Sequence, residues 1–194
     1  TCRATGNKAS TTVKVATGWW VWDAACSFEG WGMGTKGTSF EVTEDRMVVT
    51  TAPQSSGALR ADLTLDTKNT KAIMDLANYP VIALHTNLPD ISKQGYTLDL
   101  VASNGTKGES KLSKGEALSD GTKLLLYDVK SLNKFAEGEV TFTTFQIKIA
   151  DMQPAELPSG QYEVYWIRTF ASKEEAVRFA EDQITADKLS LIHI

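Results

Sequence analysis

The fold is decided first by one stretch of the chain, Gln161-Tyr162-Glu163-Val164-Tyr165-Trp166-Ile167-Arg168-Thr169-Phe170. β-Branched and aromatic residues dominate this run, and such residues favour extended strands. Neighbouring side chains of a strand point to opposite faces. We take Tyr165 and Ile167 as core residues. Trp166 and Arg168 then share the opposite face with Val164, and we expect both to be exposed.

Eight other segments have the same strand character. In the last of them, Phe145, Ile147 and Ile149 alternate with polar residues, so we expect these three to be core. Clusters of Gly, Asn, Asp, Ser and Pro separate the segments. Many short strands with few helices predict an all-β protein, an antiparallel β-sandwich of two sheets. The eight segments are 19–27, 39–43, 46–51, 59–65, 80–86, 96–101, 122–128 and 142–149.

Two segments have helical spacing instead. Residues 69–78 place Ala72, Ile73 and Leu76 on one side of a short predicted helix. Ser172-Lys173-Glu174-Glu175 forms a capping box, and the apolar stripe after it predicts a short C-terminal helix through Asp182. We therefore divide the chain into an N-terminal arm at 1–18, a sandwich domain at 19–183 and a tail or linker at 184–194.

Composition excludes several classes of function. The 194 residues carry 24 acidic and 20 basic side chains, a net charge of −4, and the Lys and Arg form no basic stripe, so we expect no nucleic-acid partner. No apolar run is long enough to insert into a membrane. No recognisable enzyme motif is present, which favours a non-catalytic protein. Cys2 and Cys26 can form a disulfide, or Cys26 can be a small core residue.

The candidate binding residues come from the outward positions of the predicted strands. Aromatic rings stack on the C–H faces of sugars while polar side chains bind the hydroxyls, and the expected outward residues offer both. Trp31 stands between Gly30 and Gly32 in a predicted loop and is a second candidate platform. Strand-end carboxylates also allow a calcium site, although no calcium-loop motif is present. We expect one polar sheet face to hold His85, Asp99, Gln146, Lys148, Trp166 and Arg168.

Four segments carry a resemblance to a known type of domain. They are Asn78-Tyr79-Pro80-Val81-Ile82-Ala83-Leu84, the strand at 142–151, the strand at 162–172 with its Trp-Ile-Arg-Thr-Phe sequence, and Phe28-Glu29-Gly30-Trp31. Over roughly residues 20–182 the chain resembles the jelly-roll carbohydrate-binding modules attached to secreted glycan-degrading proteins of anaerobic gut bacteria. In those proteins a short helix follows the late Trp-Ile-Arg-Thr-Phe strand.

The resemblance implies a β-jelly-roll, an extracellular or cell-surface setting and a plant cell-wall polysaccharide such as a β-glucan or xylan as ligand. It also implies a module within a larger multidomain protein, which we expect to be monomeric. Two other classes stay open at this point. Two carboxylates facing each other across a cleft would indicate a glycoside hydrolase or lyase domain. A contiguous apolar patch would indicate an adhesion-type structural sandwich.

Overall fold

The structure is a computed structural model that describes residues 21–192, with side chains described to residue 189. It contains fifteen strands in this part of the chain, one α-helix, α1 (Lys173–Ile192), and two 3-10 helices (Ala24–Cys26 and Lys130–Leu132). The strands are β1 (Val21–Asp23), β2 (Trp31–Met33), β3 (Ser39–Val42), β4 (Met47–Thr50), β5 (Ala52–Pro53), β6 (Leu59–Arg60), β7 (Leu63–Leu65), β8 (Ile73–Asp75), β9 (Val81–Thr86), β10 (Tyr96–Ala102), β11 (Lys107–Leu112), β12 (Glu116–Ala117), β13 (Lys123–Asp128), β14 (Glu139–Ile149) and β15 (Gln161–Phe170).

Two large antiparallel sheets form the sandwich. The first sheet has the order β12-β13-β9-β15-β4-β3, with β1 paired to β15, and the second has the order β11-β10-β14-β7-β2, with β8 paired to β14. Strands β5 and β6 make a separate small pair. The four-strand sets β13-β9-β15-β4 and β11-β10-β14-β7 have the strand order of a jelly roll, in which two Greek keys interlock. The predicted antiparallel sandwich is confirmed.

The main core lies between the two sheets. Phe145, Ile147 and Ile149 of β14 are all fully buried, as their alternation predicts. Tyr162, Val164 and Ile167 face them from the first sheet. Buried tyrosines keep their hydroxyls hydrogen-bonded: the Tyr162 hydroxyl, for example, donates to the carbonyl oxygen of Ala61 at 2.9 Å. That bond removes the cost of burying an unpaired polar group.

Helix α1 covers part of the outer face of the first sheet and builds a second apolar cluster there. Ala176, Ala180 and Ile184 recur every four residues and are buried against Trp166 and Phe170 of β15. Ser172 caps the helix, because the Glu175 amide donates to Ser172 Oγ, and Glu175 reaches back to accept from the amide of Ala171, one residue before the cap. The helix was expected to end near Asp182 but continues to Ile192. Neither Gly nor Pro occurs after Gly160, so no residue type interrupts it.

The helix predicted at 69–78 is wrong. This segment folds as two turns around β8, and burial alternates with a period of two: Ala72, Met74 and Leu76 are buried and the residues between them are not. The sequence Asp75-Leu76-Ala77-Asn78 closes a turn in which Asp75 accepts from two backbone amides and from the Asn78 side chain. Such Asx turns compete with helix formation. Met74 pairs with Val140 instead, which extends the second sheet.

Two of the expectations concern the N-terminal end of the chain. The arm at 1–18 and Cys2 lie outside the described residues, so the Cys2–Cys26 pairing stays a prediction. No helix in the described range is both long and apolar enough to cross a membrane.

Candidate functional site

The predicted polar face is divided between the two sheets, so that prediction is wrong. His85, Trp166 and Arg168 lie on β9 and β15 of the first sheet. Asp99, Gln146 and Lys148 lie on β10 and β14 of the second sheet. Alternation within a strand identifies outward positions, but it does not say to which sheet the strand belongs. The structure therefore presents two candidate surfaces, on opposite sides of the sandwich.

Trp166 points outward from the first sheet but is buried, and the expectation that it is exposed is wrong. Its side chain is 4% exposed because α1 lies over it. The indole Nε1 donates to Gln183 Oε1 of α1 at 2.8 Å, and the rings of Phe170 and Phe179 lie 5.8 and 5.7 Å from it. This tryptophan holds the helix against the sheet, and a sugar cannot stack on it while α1 is in place.

A β-bulge explains the surroundings of Trp166. Val164 is paired with Thr86 and Trp166 with His85, so Tyr165 is an extra residue with no counterpart on β9. The bulge lets Tyr165 and Trp166 both belong to the outer cluster while Val164 and Ile167 belong to the inner core. Strict alternation predicted Tyr165 as core and grouped Val164 with Trp166, and both assignments are wrong for this reason.

Trp31 is also buried, in the core between the sheets. It is 6% exposed and packs edge-to-face against Trp22 and Phe145, at centroid distances of 5.4 and 5.9 Å. The expected accessible loop is strand β2, in which Trp31 is paired with the buried Leu65. Trp31 is therefore no platform for a ligand at the sandwich edge.

The first candidate surface is a cavity of about 450 Å³ beside α1 on the outer face of the first sheet, which we call the helix-edge pocket. The turn between β3 and β4, the residues after β12, the bulge of β15 and the side of α1 converge on it. Its polar and aromatic lining includes Asp45, Arg46, His85, Asp120, Tyr165 and Arg168.

Ion pairs fix the two guanidinium groups of the helix-edge pocket. Arg46 binds Asp45 through Nε and Nη2, at 3.0 and 2.6 Å, and binds Glu163 through Nη1 at 2.8 Å. Its guanidinium carbon lies 5.1 Å from the ring centroid of Tyr165, whose hydroxyl also donates to Glu163. Arg168 Nη2 binds Asp23 at 3.0 Å. Hydrogen bonds from Arg46 chiefly hold the pKa of Asp45 below its usual range.

The protonation of His85 follows from its neighbours. Burial lowers the pKa of His85 to about 4, so the ring is neutral near pH 7, although the charge of Asp120 opposes the shift in part. Burial opposes ionisation of Asp120, but hydrogen bonds from Thr122 outweigh it and lower its pKa. The Thr122 hydroxyl donates to the Asp120 carboxylate, so it must accept from His85 Nε2 at 2.7 Å. His85 Nδ1 is therefore an acceptor, and it is buried with no partner.

The second candidate surface is the outer face of the second sheet, which we call the polar face. Pairing between strands aligns Glu109, Asp99, Gln146 and Thr64 in one row across β11, β10, β14 and β7. Lys111, Thr97 and Lys148 form a parallel row beside it. Gln146 Nε2 donates to Thr64 Oγ1 at 2.8 Å. A Cβ at Gly34 would stand 2.6 Å from that Nε2, so glycine leaves room for the amide.

Three ion pairs run along the polar face. Lys148 binds Asp99 at 2.8 Å, Lys111 binds Glu109 at 2.7 Å, and Arg60 binds Asp62 at 2.7 Å. Asp62 is buried and also accepts from the Ile149 amide, which anchors this end of the face. The charges of these six side chains cancel. The rows just named contain no aromatic residue, so this face can offer hydrogen bonds to a ligand but no stacking platform.

Sequence reasoning missed most of the helix-edge pocket. Asp45 lies in the two-residue turn between the predicted strands 39–43 and 46–51, and Asp120 lies in a Ser-Asp-Gly turn before the strand at 122–128, so both were visible as loop residues, whereas Arg46 was predicted as the start of a strand. Nothing in the sequence indicates that these two loops meet. In the described part of the chain, no group of three or more His, Cys, Asp or Glu is placed to hold a metal ion. The structure therefore identifies no ligands there for the calcium ion that the sequence allowed.

Comparison with known proteins places this jelly-roll sandwich in a family. Residues 20–176 match the family described as a domain of unknown function, DUF4979, and the chain belongs to that family. No curated protein matches the chain.

Several solved structures are similar to the chain at low identity. A mutant of the carbohydrate-binding module CBM29-2 has 13% identity and a TM-score of 0.42, with 81% of this chain and 88% of that chain covered. Another mutant of that module, complexed with cellulohexaose, has 11% identity and a TM-score of 0.37, with 82% and 96% covered. A family two carbohydrate esterase from Cellvibrio japonicus has 11% identity and a TM-score of 0.24, with 73% of this chain and 34% of that chain covered.

Proposed function

We propose that this chain is a non-catalytic carbohydrate-binding module and that it binds an extended, uncharged plant cell-wall polysaccharide, such as a β-glucan or xylan, across the polar face. The observation that carries the proposal is the aligned row Glu109, Asp99, Gln146 and Thr64. It offers carboxylate, amide and hydroxyl groups in an unbroken line. Sugar hydroxyls both donate and accept hydrogen bonds, and this mixture of groups satisfies both.

The dimensions of the row favour a chain over a single sugar. Adjacent strands lie about 4.8 Å apart, so the row across four strands is about 14 Å long. A polar group is therefore presented at intervals close to the length of one sugar unit. The side chains are partly buried rather than fully extended into water: Asp99 is 28% and Lys148 is 30% exposed. Ion pairing restrains them, so they lose little conformational freedom when a ligand binds.

The charge of the polar face favours a neutral polysaccharide. Asp99, Glu109 and Asp62 are each paired with a cation. An acidic polysaccharide would have to compete with these carboxylates for the same Lys and Arg side chains. A neutral chain can instead bind to the intact pairs through its hydroxyls.

Two alternatives have less support. A glycoside hydrolase needs a general acid whose pKa is raised, and in the helix-edge pocket both Asp45 and Asp120 have a lowered pKa. An adhesion-type sandwich needs a contiguous exposed apolar patch. Among the described residues the exposed large hydrophobic side chains are Phe40 and Leu189, which belong to β3 and α1.

The setting belongs to the same proposal. We infer that the module is extracellular or on the cell surface, is monomeric and is part of a larger glycan-degrading protein or assembly. The resemblance of its strand sequences to modules of gut bacteria supports this setting. Its role there would be to hold the assembly against the polysaccharide.

The test is affinity electrophoresis of the chain in gels that contain soluble xylan, β-glucan, mannan or pectin. We expect retardation by at least one neutral polysaccharide, a loss of it in Asp99→Asn and Gln146→Ala, and no effect of Glu41→Gln, an exposed residue of the first sheet. Reducing ends should not increase on prolonged incubation. Absence of retardation by every polysaccharide, or release of reducing ends, would refute the proposal.

A further inference from the structure

We propose that the helix-edge pocket is a second and separate ligand site, which binds a single uncharged sugar unit such as a chain end or a side branch. This inference rests on the proposed function only for the chemical class of the ligand. The pocket and the polar face lie on opposite sides of the sandwich, so one extended chain cannot lie flat on both.

Size and enclosure select a small ligand. The cavity of about 450 Å³ falls within the range of roughly 300–1,000 Å³ that is usual for small-molecule sites. The polar face is an open row of outward side chains, whereas loops, sheet and α1 surround the pocket on several sides. The pocket therefore matches one sugar unit, such as an end or a branch of a polysaccharide, better than an extended chain.

The pocket has donors held in position. Each nitrogen of Arg46 makes one hydrogen bond, to Asp45 or Glu163. A guanidinium has five N–H groups, so two remain after these three bonds. Arg168 is held by Asp23, and its buried Nε lies behind the pocket surface. The immobilised guanidinium of Arg46 thus offers two donors without further loss of side-chain freedom.

The pocket also has acceptors and an apolar wall. His85 is 6% exposed and lines the pocket, but its unpartnered Nδ1 is buried behind the pocket surface, so the acceptor that the pocket offers is the Asp120 carboxylate. Both hydrogen bonds from Thr122 reach the same oxygen of Asp120, Oδ1. The half-buried ring of Tyr165, at 4.6 Å from the His85 ring, supplies the apolar surface between these groups. Donors and acceptors on either side of an apolar wall are complementary to the neighbouring hydroxyls and C–H face of a sugar.

The charge of the pocket lining disfavours the binding of acidic sugars. Apart from Asp187, the lining contains three carboxylates, Asp23, Asp45 and Asp120, and two guanidinium groups, Arg46 and Arg168. With His85 neutral, these groups carry an excess of one negative charge. A uronic acid would be repelled by it, whereas a neutral hexose or pentose would not.

The experiment titrates the chain with methyl glycosides of glucose, xylose, mannose, galactose and glucuronic acid, and follows two-dimensional NMR spectra. The indole N–H of Trp166 is a built-in reporter, because it donates to Gln183 at the pocket. We expect at least one neutral glycoside to shift this signal, and the glucuronide to leave it unchanged. Asp120→Asn and Arg46→Gln should each weaken that binding about tenfold, which is the loss expected for one charged hydrogen bond.

Matched variants separate this proposal from the proposed function. Asp99→Asn and Gln146→Ala on the polar face should leave glycoside binding unchanged, and the pocket variants should leave retardation by polysaccharide unchanged. Melting temperatures check folding, and Arg46→Lys, which keeps the charge, serves if Arg46→Gln is unstable. No shift with any glycoside, equal binding by the pocket variants, or weaker binding by the polar-face variants would overturn the pocket site. Absence of polysaccharide retardation would refute the proposed function alone.

Discussion

The outer face of the first sheet and the outer face of the second sheet differ in what covers them. On the first, α1 buries Trp166 and Phe170, and a pocket with charged lining lies at the edge of the helix. On the second, Asp99, Gln146 and Lys148 remain at the surface in rows of paired charges. An outward residue is a surface residue only where no further layer is added. The comparison shows that the layer added last in the chain decides which outward residues remain at the surface.

The largest loss of stability should come from a substitution in the face of the first sheet that α1 covers. Trp166→Ala removes an indole that is 4% exposed, and it should lower the free energy of unfolding by about 3–5 kcal/mol, as for other buried aromatic residues. Urea denaturation measures the loss, and polysaccharide binding by the polar face should persist in the folded fraction. A stable variant that had lost polysaccharide binding would mean that Trp166 contacts the ligand.

Neighbouring residues of β14 test the division between core and polar face. Ile147 is fully buried, so Ile147→Ala should cost about 2–5 kcal/mol of unfolding free energy. Lys148 makes only a partly exposed ion pair, so Lys148→Ala should change the free energy of unfolding by less than about 0.5 kcal/mol. Chemical denaturation of both variants gives the comparison, and the reverse order would show that the register of β14 is wrong.

The third effect is a pH dependence that is specific to the pocket. Folding lowers the pKa of His85 from 6.5 to about 4, so between these values the unfolded chain binds the proton and the folded chain does not. Stability should therefore be lost as the pH falls through this window, by about 3 kcal/mol in total. Denaturation curves at pH 7 and at pH 4 should show this difference for the wild type and a smaller one for His85→Gln. Equal pH dependence in the two proteins would show that His85 titrates normally.

A smaller effect should come from the contact between helix and sheet. Gln183→Leu would leave the buried indole N–H of Trp166 without an acceptor, at a cost of about 1–3 kcal/mol. Gln183→Glu keeps an acceptor and is the matched control. Thermal denaturation should place the Leu variant below the Glu variant, and equal melting temperatures would show that the hydrogen bond does not hold α1.

The sequence predicted outward and inward positions well where a strand is regular. Phe145, Ile147 and Ile149 of β14 were assigned correctly, because β14 pairs regularly with β10 from Thr144 to Ile149 and there keeps the period of two. The assignment failed for Val164 and Tyr165, because one unpaired residue shifts the alternation and composition does not mark where it falls.

The candidate site was less predictable than the fold. His85, Trp166 and Arg168 were grouped correctly with one another, since β9 and β15 are neighbours. The structure separates them from Asp99, Gln146 and Lys148, because sheet membership depends on pairing between distant segments. Burial of Trp166 depends on where α1 docks, and the apolar stripe of that helix did not identify its partner surface. The loops that carry Asp45 and Asp120 likewise meet only in the tertiary structure, so the sequence did not predict their contact with one pocket.

The extra residue in β15 also constrains how this chain can vary. Deleting Tyr165 would restore regular pairing with β9 and leave the other residues of the strand on their present faces: Val164 would face the core opposite Thr86, and Trp166 would face α1 opposite His85. What would be lost is the Tyr165 ring at the helix-edge pocket and its contact with Arg46. The bulge is therefore the place in this strand where the core tolerates the loss of a single residue. An alignment of many relatives would reveal this rule as a single-residue gap at the bulge.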